Sequence, residues 1–400
     1  MILRPAQDHS ERGRTMTILG IETSCDETSA AIVSKKSTDT FATVHTNIIA
    51  TSLALHAKTG GIIPETAARE QIKYILPVIQ EALQKGLDFK IKKNNIPPID
   101  AIAVTYGPGL IGSLLVGVET AKTLSYVWNK PLIPVNHLIG HIYANWLQST
   151  DVILSLTENP DSRFHENDQR DIPFPALALI VSGGHTDLVL IKQHGNLKVI
   201  GGTRDDAAGE AFDKIGRLLG LPYPAGPFIE QKAKKGDPKR FIFPRPLIGS
   251  TDFDFSFSGL KSAVFREVQN LQRHSGLSRI DSGVANAPQN DRVLDEKTIC
   301  DISRGVQDAI IAVLVKKTMK AAKAYNAKSI LLSGGVAANQ MLRDTFEQTT
   351  NDQRLTTKLF APAKNLCTDN AAMIATAAFY NPKKSDWKTL TANPELYFEE

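Results

Sequence analysis

The sequence predicts an α/β protein built from two related halves. An apolar strand, a polar turn and a returning apolar strand open the chain at residues 18–33, and the same pattern recurs at 177–191. Between and after these hairpins, strands run through glycine turns into helices, at 102–117 and again at 329–339, as in an α/β layer. The chain has 400 residues, 42% of them hydrophobic and 22% charged, enough for two lobes with ordinary globular cores.

Ile18–Glu22 reads as a buried strand, Thr23–Ser29 as a turn and Ala30–Val33 as the returning strand. A turn rich in hydroxyls and acids can face a phosphate or a metal, or only solvent. Residues 53–74 carry His56, Gly60-Gly61 and Pro64-Glu65, and a helical pattern continues to about Lys85. Strand Ile102–Thr105 passes through Tyr106-Gly107-Pro108-Gly109 into a helix whose Gly112 and Gly117 suit close packing.

In Pro134–Ile142, Asn136 is a good N-cap residue type. A helix starting there puts His137 and His141 on one face, one turn apart, as two ligands of one metal ion require. Two unrelated histidines would give the same spacing. Leu138, Ile139 and Gly140 lie between them, so the glutamate of the zincin pattern is missing.

Residues 149–171 read as a polar insertion. Leu177–Val181 is a strand, Ser182-Gly183-Gly184-His185-Thr186 a turn able to offer backbone N–H groups to a phosphate or acyl oxygen, and Asp187–Ile191 a second strand. Residues 205–220 read as a helix with Asp205, Glu210 and Asp213 on one face, most simply an exposed acidic one. The alternation in Asp252–Gly259 predicts a half-buried strand, with a helix opening at Ser258. After a second polar insertion, 273–296, comes a long amphipathic helix, 301–325. Its Lys316, Lys317, Lys320 and Lys323 read as a solvated face suited to the helix dipole. Strand Ser329–Leu332 ends in Ser333–Asn339, a place for a nucleoside or phosphate to dock. Asp369 precedes the alanine-rich helix 371–380, either as its cap or as a third metal ligand.

A formal charge of +4 is compatible with nucleic acid without requiring it. No apolar run is long enough to span a membrane. The polar residues 1–15 lack an apolar signal core, and Met16, directly before the first strand, is a candidate start. Three cysteines without CxxC spacing suit a reducing compartment, so a cytoplasmic location is expected, with the mitochondrion as the alternative.

Together, GIETSCDET, GGIIPE, GPGLIGSLLVG, NHLIGH, LIVSGGHT, DDAAGEAFDKIGRLLGL, FDFSFSGLK, LLSGGVAAN and CTDNAAMIA, in this order from Ile18 to about Tyr380, resemble the tRNA threonylcarbamoyladenosine synthase family. That family comprises bacterial TsaD, Kae1-type and mitochondrial proteins, and once carried the name O-sialoglycoprotein endopeptidase. The resemblance implies the actin-like ATPase fold, with two RNase H-like lobes and a cleft between them. It implies transfer of a threonylcarbamoyl group from threonylcarbamoyl-AMP to N6 of adenosine 37 in tRNAs reading codons that start with A. One divalent metal per subunit, Fe2+ or else Zn2+, is implied at His137, His141 and Asp369. Ile180, Val181, Ser182, Gly183 and Gly184 would contact the acyl-adenylate, Asp213, Gly226 and Glu230 its ribose, and Asn339 the adenylate. No catalytic residue separate from the metal site is implied.

The domains expected are an extension 1–15, expected to be disordered, a first lobe 16–135 to which helix 371–381 returns, a second lobe 136–370 with insertions 149–171 and 273–296, and a tail 382–400. Implied partners are tRNA, threonylcarbamoyl-AMP and its synthase, a TsaB-type paralogue and a TsaE-type P-loop ATPase, or a second copy in the mitochondrial type. Gln71 stands where the family commonly has histidine, and Ala225 where it has glycine. Lys232, Lys234, Lys235, Lys316 and Lys320 are candidates for tRNA phosphates. The rival readings are an actin-fold small-molecule kinase and a metalloprotease.

Overall fold

The computed structural model describes residues 13–93, 95–149, 171–274, 294–352 and 356–398. These fall into two compact units: the described parts of Met1–Leu53, Ile63–Asp171 and Thr368–Glu399, and those of Ala54–Ile62 and Ile172–Cys367.

In the first unit, β1 (Thr15–Glu22), β2 (Glu27–Lys36) and β3 (Ala42–Thr51) form an antiparallel meander. After the short helix α1 (Leu53–Thr59), which from Ala54 on falls in the second unit, and the long α2 (Pro64–Leu87), strand β4 (Ala101–Gly107) joins β1 in parallel. Helix α3 (Ile111–Trp128) then leads to β5 (Leu132–Asn136), parallel to β4. Helix α4 (His137–Tyr143) follows directly, and β6 (Leu147–Ser149) closes the far edge, giving the order β5-β4-β1-β2-β3-β6. The period of two along β1 sets its two faces. Leu19 and Ile21 join the core under α2 and α3 with Ile75, Ile79 and Val118. Gly20 instead faces the last helix of the chain, Ala371–Tyr380.

The second unit repeats the plan. Strands β7 (Ala176–Val181), β8 (Thr186–Gln193) and β9 (Asn196–Gly202) form the meander. Helices α5 (Ala208–Leu218), α6 (Gly226–Ala233), α7 (Ser258–His274) and α8 (Glu296–Ala324) follow. Strand β10 (Ser329–Ser333) lies parallel to β7. Helix α9 (Gln340–Asp352) then leads to β11 (Lys358–Phe360), parallel to β10, and the order is β11-β10-β7-β8-β9. Phe212, Phe255, Phe257 and Ile310 fill the core between this sheet and its helices. Helix α10 (Ala371–Tyr380) belongs to the first unit, with Ala371–Ala378 buried throughout. Its small side chains let it approach the sheet closely.

Several expectations need correction. The first strand starts at Thr15, within the expected extension; residues 1–12 lie outside the described residues, as do most of the insertions 149–171 and 273–296. The division between the units does not fall at 135/136. Asn136 ends β5 and caps α4, and α4 packs on α10, so 136–149 stays with the first unit. Residues 252–259 form no strand: Phe255 makes one bridge, to Thr203, and the alternation reflects Phe255 and Phe257 pointing into the core. Asp205 lies ahead of α5, not on it, and its carboxylate accepts from the backbone N–H groups of Phe257 and Ser258, capping α7. Lys317 is buried, because its ammonium donates to Ser250 and Asp252. The expected tail is packed onto the first unit, with Leu390 in its core and Ser385 bridged to Leu132.

Candidate functional site

Helix α4 owes its start to Asn136, whose Oδ1 accepts from Leu138 N at 2.8 Å and Ile139 N at 3.4 Å. The helix therefore begins at His137, and both imidazoles share its buried face, with ring centroids 4.6 Å apart. The carboxylate comes from the far end of the chain. Asn370 takes the cap of α10 by accepting from Met373 N, which leaves Asp369 one residue upstream of the cap. Asp369 Oδ1 lies 3.2 Å from His141 Nε2 and 3.5 Å from His137 Nε2. One donor atom from each of the three residues lies within 4.8 Å of the others. The three converge as a first-row divalent ion requires, and two neutral imidazoles with one carboxylate suit Fe2+ or Zn2+.

The fit extends one layer out. His137 Nδ1 lies 3.2 Å from both Glu22 Oε2 and Ser24 Oγ. Glu22 is wholly buried at the end of β1, where Ser24 N and Thr105 Oγ1 donate to it at 2.5 Å each. A carboxylate on Nδ1 fixes the tautomer that presents Nε2 to an ion. Burial opposes protonation of His137, but Asp369 and Glu22 outweigh it and raise its pKa to about 9. His141 moves the other way, chiefly because it is buried. Glu27, on the same hairpin, is raised to about 10 by burial and by the charges of Asp26 and Asp369.

Gln71 holds the turn that carries Ser24. From α2 its Nε2 reaches the carbonyls of Cys25 and Glu27 at 3.0 Å each and that of Thr23 at 3.4 Å. On the other side, Gly117 lets α3 approach Thr23, and Ser113 Oγ donates to the Cys25 carbonyl. Glu22 and Ser24 were not among the residues the sequence singled out, and Gln71 stood out only as a departure from the family's histidine. The available signal was Glu22 itself, a carboxylate closing an otherwise apolar strand.

The remaining expected residues lie in the second unit, after the ends of β7 and β10 and on helices α5 and α6. Ile180 and Val181 are buried at the end of β7. The Ser182–His185 turn closes with Ser182 N donating to His185 O at 2.9 Å, and open space lies above Gly183 and Gly184. Gly334, at φ +87°, brings the end of β10 against the Val181 carbonyl, a conformation and an approach that exclude a side chain. Asp213 accepts from Ala225 N at 2.7 Å, and its pKa is raised, chiefly by burial. Ala225, where the family has glycine, fits because its methyl packs over Gly216. Gly226 opens α6, with open space where a side chain would be. Glu230 on the same helix accepts from Gln340 N at 3.0 Å. Asn339 donates to Gln307 Oε1 at 2.9 Å and accepts from Leu342 N at 3.0 Å. Val181 with Gly334, and Glu230 with the start of α9, thus form one neighbourhood; Gln307 is a member the sequence did not reveal.

A family model described as TsaD: tRNA N6-adenosine threonylcarbamoyltransferase matches residues 43–157 and 161–376. The tRNA N6-adenosine threonylcarbamoyltransferase of Moorella thermoacetica is 44% identical over 382 residues, covering 95% of this chain and 96% of the relative. That of Thermomicrobium roseum is 46% identical over 371 residues, covering 91% and 92%. Among solved structures, full-length HypF in its phosphate- and nucleotide-bound form aligns with a TM-score of 0.52 at 11% identity, over 94% of this chain and 57% of that one. This last likeness concerns fold alone, the actin-like fold of which each unit here carries one half. By the extent of these matches, the chain belongs to the tRNA N6-adenosine threonylcarbamoyltransferase family.

Proposed function

We propose that this chain transfers the threonylcarbamoyl group of threonylcarbamoyl-AMP to N6 of adenosine 37 in tRNA, with an ion held by His137, His141 and Asp369. The convergence of those three side chains, in a chain matching the family over most of its length, carries the reading. The nucleophile is a weakly basic exocyclic amine and the electrophile a mixed anhydride with a good leaving group, so orientation and charge stabilisation suffice. A bound divalent ion would supply Lewis-acid stabilisation of developing negative charge. Glu22 and Ser24 hold His137, and Gln71 holds the turn beneath them, so the donor set is set in advance. In the second unit, Ile180–Gly184 would receive the acyl-adenylate, the turn N–H groups stabilising charge by about 3 kcal/mol per donor. Asp213, Gly226 and Glu230 would take the ribose. Fe2+ is the favoured ion and Zn2+ the alternative.

tRNA is the macromolecular substrate. Lys232 pairs with Glu296, and Lys320 donates to the Ser250 and Thr251 carbonyls, so the exposed Lys234, Lys235 and Lys316 are the better candidates for phosphate contacts. Among the described residues no helix is long and apolar enough to cross a membrane. A cytoplasmic site of action, a separate synthase for the acyl-adenylate, a TsaB-type paralogue and a TsaE-type ATPase complete the reading; a homodimer is the alternative assembly.

The test is mass spectrometry of tRNA nucleosides after incubation with threonylcarbamoyl-AMP, with and without candidate partners. His141→Ala is expected to lose both bound metal and modified adenosine. Full modification by a metal-free variant would reject the role given to the ion.

A further inference from the structure

The C-terminal segment 385–397 runs along β5, the strand that leads into the metal helix, and past the end of its neighbour β4. Ser385 N donates to Leu132 O at 2.9 Å, covering the open edge of β5. Leu390 is buried in the first unit's core, and the Trp387 ring lies 4.9 Å from that of Tyr126. Asn393 N donates to Tyr106 O at 2.7 Å, and Gly109 N to Pro394 O at 3.3 Å. Gly107 is a glycine because the Asn393 carbonyl fills the place of its side chain. The segment ends at Asn136, whose Nδ2 donates to Tyr397 O at 3.0 Å.

That last bond is the informative one. Asn136 is nearly buried, and its two amide atoms are divided between two tasks. Oδ1 caps α4, while Nδ2 is held by a carbonyl that can only accept. The Tyr397 carbonyl therefore selects the one amide orientation that turns oxygen toward Leu138 N and Ile139 N. The next residue is His137 and the fifth is His141.

We infer that segment 385–397 is a positioning strap for the metal helix: it orients the Asn136 cap and so sets the histidine pair for the ion. The inference rests on the metal-site reading above. It makes residues remote from the ion determinants of metal affinity.

Two variants test it in the otherwise unaltered chain. Deletion of residues 394–400 keeps Leu390 and the Asn393 N–H but removes the Pro394 and Tyr397 carbonyls. Asn136→Ser keeps a capping oxygen but lacks the longer amide arm whose Nδ2 reaches the Tyr397 carbonyl. Hydrogen exchange of the α4 amides is read in the metal-free protein, and Co2+ affinity by calorimetry. Both variants are expected to speed exchange of α4 and to raise the Co2+ dissociation constant about tenfold or more, the range of lost outer-layer support. Combining them should do little more than either alone, because they break the same bond. Unchanged α4 exchange in both variants overturns the strap, as does faster exchange with Co2+ affinity within twofold of the parent. Should the truncated chain not fold, Asn136→Ser decides alone. A parent protein that takes up no Co2+ sinks the metal reading instead, and the exchange data still judge the strap.

Discussion

Glu22 Oε2 lies 3.2 Å from His137 Nδ1, on the opposite side of the ring from Asp369. One carboxylate thus orients the imidazole and the other shares its outward nitrogen. Glu22→Gln keeps the shape and removes the charge. It is expected to weaken metal binding about tenfold to a hundredfold, read by titration with Zn2+ or Co2+, with the circular dichroism spectrum unchanged. Equal affinity in the variant would remove Glu22 from the site.

The pH dependence follows from the same ring. Without an ion, burial opposes protonation of His137, but Asp369 and Glu22 raise its pKa from 6.5 to about 9. The imidazolium stabilises the metal-free fold fully below the unfolded value, and that stability is lost as pH rises through about 9. An ion needs the neutral ring, so metal affinity runs the other way, rising about tenfold per pH unit toward 9 and then levelling. Calorimetry in buffers of different ionisation enthalpy should detect close to one proton released per ion at pH 7.5. No proton release would contradict this assignment.

Gly20 faces the start of α10, where a methyl group would meet the Ala371 carbonyl. Gly20→Ala must push that helix end outward, and Asp369 lies two residues before Ala371. The expected cost is about 1–3 kcal/mol of stability from overpacking, together with weaker metal binding. Urea unfolding and Co2+ titration of one preparation test both. Lost stability with metal binding intact would separate the helix end from the ligand.

Gln71 offers one NH2 group to three carbonyls of the 23–27 turn. Gln71→Ala leaves those buried acceptors short of donors and should cost about 1–3 kcal/mol, measured by denaturant midpoint. Hydrogen exchange should quicken at residues 23–27 more than elsewhere in the first unit. A uniform change would mean that Gln71 acts on the fold as a whole.

Much of the architecture was legible in the sequence because its signals are local. The two hairpins, the glycine turns after β4 and β10, and the Asn136 start of α4 each rest on a few neighbouring residues. The metal pair was visible as spacing, but the third donor had two readings until the resemblance chose one. In the structure Asn370 takes the cap, which explains why Asp369 does not. What stayed hidden depends on distant partners. Asp205 reads as helical until Phe257 and Ser258 arrive to donate to it, and Lys317 reads as solvated until Asp252 meets it. The alternation at 252–259 was real but had only one strand contact to serve. The packed tail has no periodicity, because it is held by single backbone bonds at irregular intervals.

Both ends of the Asn339 side chain are already engaged, by Gln307 and by Leu342. Those two bonds leave one amide hydrogen and one carbonyl lone pair over, both held in a fixed direction. A purine seated beside it would meet a donor and an acceptor that cannot exchange places, so such a pocket should tell one base edge from another. AMP should then bind more tightly than its inosine counterpart, and equal affinity would mean that Asn339 reads no base edge.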